Sequence, residues 1–95
     1  MERGHLRAIL GTAGAKEAEE GWWQLPDGKF LTLHAAHNGV GLAVARGVGV
    51  REEGSLIFVR TAKGETFVLD MSDVFAGAVD GTATTSVRTA GFVSR

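Results

Sequence analysis

The chain has 95 residues, with ten Lys and Arg against eleven Asp and Glu for a net charge of −1, and it contains no cysteine. That length fits one domain with a thin core, for which binding another copy or another protein is a common route to stability. The charge balance lacks the basic surplus that a nucleic-acid binder sets against phosphates, and the absence of cysteine excludes disulfides, thiolate metal sites and a thiol nucleophile.

The opening residues, Met1 to Arg7, are too polar for a secretory signal core. No apolar stretch approaches the ~20 residues needed to span a bilayer, so the expected location is the cytoplasm and no membrane partner is expected. Gly4 to Leu10 reads as an edge strand or one helical turn, and Ala15 to Glu20 is helix-prone but too short to stand unless packed. Trp22 and Trp23 follow. Neighbours in extended chain point to opposite sides, so one indole can enter the core while the other faces outward, although a bend would bury both.

Leu25-Pro26-Asp27-Gly28 has the chemistry of a turn. Asn38-Gly39 then separates two apolar runs, residues 30–36 and 40–50, as the tight turn of a β-hairpin. In the second run Leu42, Val44, Val48 and Val50 share one parity, interrupted by Arg46, while the other parity carries Ala43, Ala45, Gly47 and Gly49. The small parity predicts a close approach or a bend. Glu53-Gly54 and Lys63-Gly64 turn the chain into strands at 55–60 and 65–70, and a short strand at 74–79 ends at Asp80-Gly81. The expectation is a five-strand antiparallel meander over about 29–79, within a single small β domain over 1–80. Residues 81–95 are expected as a C-terminal tail or a weak last strand at 86–93.

Leu56-Ile57-Phe58-Val59 and Phe67-Val68-Leu69 are apolar on both parities, which predicts cover on both faces of the middle strands. Curling the sheet into a barrel closes one face. The other needs the N-terminal segment, the C-terminal segment or a second molecule. The candidate partner-binding residues are therefore Trp22 and Trp23, Arg46 as the anomalous charge, and Phe58, Phe67 and Phe75.

No residue set amounts to a catalytic centre. His34 and His37 point to opposite faces of a continuous strand, so joint metal ligation with Asp70 or Asp73 would require a break between them. Ser55 and Ser72 lack a nucleophile-elbow context. Asp70-Met71-Ser72-Asp73 reads as a turn in which Asp70 or Ser72 bonds nearby backbone amides.

Gly39-Val40-Gly41-Leu42-Ala43-Val44-Ala45-Arg46, with Gly54-Ser55-Leu56 and the Gly64 to Leu69 segment, resembles the last part of a histidine-kinase ATP-binding domain, where a Gly-x-Gly-Leu-Ala helix precedes two strands. The resemblance covers about a third of the chain and implies that Gly39 and Gly41 bracket nucleotide phosphates. That family's magnesium-binding Asn and its Asp-x-Gly-x-Gly motif have no counterpart in residues 1–38, and Gly47 and Gly49 oppose the helix it requires. The expected fold stays all-β, a compact meander closing into a barrel of the SH3-like or PilZ-like size class, with room for a short N-terminal helix. PilZ-type cyclic-dinucleotide binding lacks its paired-arginine motif here. The expected function is a non-enzymatic protein-interaction or adaptor module that self-associates, with no cofactor and no nucleic acid. The alternatives are a regulatory domain binding a nucleotide or small anion around Gly39 to Arg46, and a subunit of a homomeric structural assembly.

Overall fold

The computed structural model describes residues 1–81; of the stretch 81–95 expected as a tail or weak last strand, Gly81 ends the last described strand and the rest lies outside the described residues. The fold is mainly β: an antiparallel sheet curled into a half-barrel, with a short N-terminal helix. The elements run α1 (Arg3–Ala13), β1 (Lys16–Glu17), a 3-10 turn (Glu19–Gly21), β2 (Trp22–Gln24), β3 (Lys29–His37), β4 (Val40–Glu53), β5 (Leu56–Thr61), β6 (Thr66–Asp70), a second 3-10 turn (Met71–Asp73) and β7 (Val74–Gly81).

The five strands expected from the hairpin signals, β3 to β7, all form. Asn38 and Gly39 both take positive φ, 51° and 81°, as the two central residues of the β3–β4 hairpin. The last strand departs from a simple meander. Instead of extending past β6, β7 pairs antiparallel with β3 from Lys29↔Gly81 to Ala35↔Val74. The Met71–Asp73 turn redirects it: Asp70 accepts bonds from the Ser72 amide and hydroxyl at 3.0 and 2.8 Å, and the Met71 amide donates to the Ser55 carbonyl at 2.7 Å.

β4 is the spine of the sheet. Its first half pairs with β3, and its second half lies between β2 and β5. Two extra residues enter it. Leu31↔Gly47 and Leu33↔Val44 place three steps of β4 against two of β3, and Gly47↔Thr61 and Gly49↔Arg60 place two against one of β5. Each bulge bends the strand. The bulges also explain the anomalous arginine, since Arg46 takes φ 59° at the first bulge and its side chain turns outward from the core. Gly47 is buried on the concave side, where a Cβ would lie 3.0 Å from Val59 Cγ1 and 3.1 Å from the Leu31 carbonyl oxygen.

Where the sequence left an edge strand or one helical turn open, the structure has a helix of 11 residues. It presents Leu6, Ile9, Leu10 and Ala13 to the concave side, at the spacing of one helical face. These residues complete a core with Leu31, Leu33, Val44, Val50, Ile57, Val59 and Val74. Gly14, with φ 76°, ends the helix, its amide bonding to the Gly11 carbonyl and that of Ala15 to the Leu10 carbonyl. The helix is oriented by Glu52, which meets Arg7 at 3.2 Å and Arg3 at 3.5 Å while its own side chain is only 8% exposed.

The barrel closure expected from strand number does not occur, because the sheet edges remain 14 Å apart. Strands that pair lie about 4.8 Å apart, whereas a helix with its side chains is about 10–12 Å across. With α1 packed on its concave side, the sheet holds these edges well beyond hydrogen-bonding distance. Among the described residues, no helix is long and apolar enough to cross a membrane.

Candidate functional site: the convex face

Strand register puts alternate residues of β2, β4, β5 and β6 into rows. One row, Trp23↔Val50↔Val59↔Phe67, is concave: Val50 and Val59 are fully buried, and Trp23 and Phe67 pack half-buried against them. The adjacent row, Trp22↔Arg51↔Phe58↔Val68, faces the other way and crosses all four strands on the convex side. The two indoles therefore split across the sheet, as extended backbone requires.

The convex row joins a set of arginine–aromatic contacts. The guanidinium of Arg60 lies 4.1 Å from the Trp22 ring, that of Arg51 lies 5.1 Å from Phe58, and that of Arg46 lies 4.2 Å from Phe30. Arg51 also pairs with Glu53, two residues on along the same strand. Arg46 and Arg60 make no ion pair with any carboxylate among the described residues. The outward apolar residues of the middle strands are thus partly shielded by arginines of the same chain. Val68 stays 53% exposed.

The six residues singled out by sequence divide into three groups. Trp22 and Phe58 share the convex row, with Arg46 farther along the same face. Trp23 and Phe67 lie on the concave side, and Trp23 also meets Arg7 at 5.5 Å. Phe75 is 65% exposed on β7, with its ring 6.2 Å from that of His34. Arg51, Arg60 and Phe30 were not singled out. Their signal was parity, since Phe58 and Arg60 stand two apart on one strand and must share a face.

Two clefts stand out among the described residues. An open apolar cleft of about 440 Å³ lies at the hairpin end of the half-barrel, where Ala35, Val40, Leu42 and Leu69 line it and His37 and Asp73 form its rim. Leu42 points to the concave side but is 47% exposed, because the open sheet leaves it uncovered there. His37 Nδ1 lies 3.0 Å from Asp73 Oδ1, and this hydrogen bond and the carboxylate's charge raise the His37 pKa above 6.5. Asp70 is held below the usual carboxylate range, chiefly by the Ser72 amide and then by its hydroxyl. A second cleft, of about 210 Å³, lies between β4 and the β5–β6 loop and is lined in part by Arg46, Thr61, Lys63 and Glu65.

The anion site imagined around Gly39 to Arg46 is not assembled as such. Both residues lie along one extended hairpin arm, Gly39 at its tip and Arg46 at the bulge, and seven extended residues span roughly 23 Å. The same segment is strand where the histidine-kinase resemblance requires helix. Among the described residues, no group of three or more His, Cys, Asp or Glu side chains is placed to hold a metal ion. No family model matches the chain, and no curated protein or solved structure matches it.

Proposed function

We propose that this chain is a non-enzymatic protein-interaction module that associates with itself. The observation that carries the reading is the convex row Trp22–Arg51–Phe58–Val68 with Arg60 beside it. Tryptophan and arginine are the residues most enriched at binding hot spots, and a row spanning four strands on a rigid sheet offers them without the entropy cost of ordering a loop. The finer fold reading, an SH3-like class, draws support from domain size, five principal strands and a last strand that returns to the first after a 3-10 turn.

Light scattering over a concentration series tests the reading. A mass that rises from the 10.0 kDa monomer toward twice that value is expected, and Trp22→Ala should hold the protein at monomer mass. A strict monomer at millimolar concentration would count against self-association. A mass that keeps growing would favour the structural-assembly alternative.

The second cleft favours one other reading, a small-anion site, because Arg46 and Lys63 line it against a single carboxylate, Glu65. A thermal-shift series with phosphate and nucleotides tests this, since a ligand at 100 times its dissociation constant adds about 2.7 kcal/mol of stability. No shift across the series would retire it.

A further inference from the structure

We propose that the convex face around Trp22 and Arg60 docks a second copy of this chain through a two-fold exchange, in which the acidic loop at Glu19 and Glu20 of each copy meets the arginine face of the other. The proposal rests on the self-association reading above and names its surface.

Two patches of opposite charge flank Trp22. Glu19 and Glu20 are exposed in the 3-10 turn that leads directly into Trp22, and neither carboxylate makes an ion pair among the described residues. On the other side of Trp22 along the strand, Arg60 stands in the Gln24–Gly49 row and lies over the indole, with no carboxylate partner of its own among the described residues. Both signs of charge are thus presented on either side of one indole, with no ion pair to either among the described residues. A two-fold interface is self-complementary: whatever patch one copy offers, its partner offers too, so an acidic patch beside a cationic one is satisfied twice by a single rotation.

Backbone geometry agrees. Outside the Asn38 turn, Glu20 and Arg46 are the only non-glycine residues with positive φ among the described residues, at 60° and 59°. One holds up the acidic loop, and the other turns a further arginine onto the convex face.

A charge exchange tests the proposal. Glu19→Lys/Glu20→Lys and Arg60→Glu are made separately, and circular dichroism checks that each folds. Alone, each variant should lose dimer affinity at least about tenfold, since both contacts of its two-fold interface become repulsive. Mixed in equal amounts, they should associate with near wild-type affinity, because each lysine loop meets a glutamate face while each native loop meets a native arginine. Misfolded variants could not regain binding on mixing. The wild-type dimer should also weaken about tenfold between roughly 0.05 and 0.5 M salt, as the Debye length contracts. Variants that dimerise as well as wild type, or a mixture that stays monomeric while wild type dimerises, would overturn this surface and leave self-association standing. A wild type that is monomeric throughout would overturn both.

Discussion

Arg60 sets its guanidinium 4.1 Å from the Trp22 ring across a position where Gly49, the neighbour of Arg60 in register, contributes no side chain. An exposed arginine–indole contact contributes about 0.5–1 kcal/mol. Arg60→Ala should lower the stability of the monomer by about that amount in urea melts, and Arg60→Lys should restore part of the loss. An unchanged midpoint would show that the contact contributes nothing.

Gly47 and Gly49 stand two apart on one strand and make opposite predictions. A Cβ on Gly47 would meet a backbone carbonyl at 3.1 Å inside the core, whereas one on Gly49 would meet Trp22 at 3.5 Å, an ordinary contact. Gly47→Ala should therefore cost about 1–3 kcal/mol through overpacking. Gly49→Ala should lie within about 0.5 kcal/mol of wild type. Equal effects in chemical denaturation would contradict the two-bulge geometry of β4.

The N-terminal helix covers part of the concave side, so its buried face should behave as core. Leu10→Ala should destabilise by about 2–5 kcal/mol, and Leu6→Ala similarly. Calorimetry would read this as a fall of several degrees or more per kcal/mol for a domain of this size. A loss below 1 kcal/mol at both positions would mean that the helix is not packed as described.

His37 ties the hairpin tip to the turn before β7. With Asp73 raising its pKa above 6.5, His37 is protonated and paired below that value, and the stabilisation it adds is lost as pH rises through the folded-state pKa. Proton NMR should find His37 titrating higher than in Asp73→Asn, where the value should fall back toward 6.5. Identical titration curves in the two proteins would dismiss the pair.

Much of the sheet was legible in sequence because its turns carry their own chemistry. Asn38-Gly39, Gly54 and Gly64 supply the positive φ angles that place β3 to β6. What stayed hidden depends on contacts distant in sequence. The return of β7 to β3 is set by a 3-10 turn held on the Ser55 carbonyl, and the helix wins at Arg3 to Ala13 because a concave sheet offers Leu6 and Leu10 a surface. Gly4 and Gly11 weaken its intrinsic propensity, which is why the sequence left an edge strand or one helical turn open there. At the convex face, Trp22 and Phe58 were readable as candidates, but their arginine neighbours required knowing the register across β2, β4 and β5.

The indole protons offer the sharpest test of the convex interface. Trp22 and Trp23 are adjacent in sequence and face opposite sides of the sheet, so a two-dimensional NMR dilution series separates them within one sample. The Trp22 indole resonance should move with protein concentration while that of Trp23 stays in place. If neither resonance moves, or only that of Trp23 does, the convex face is not where this chain meets its own kind.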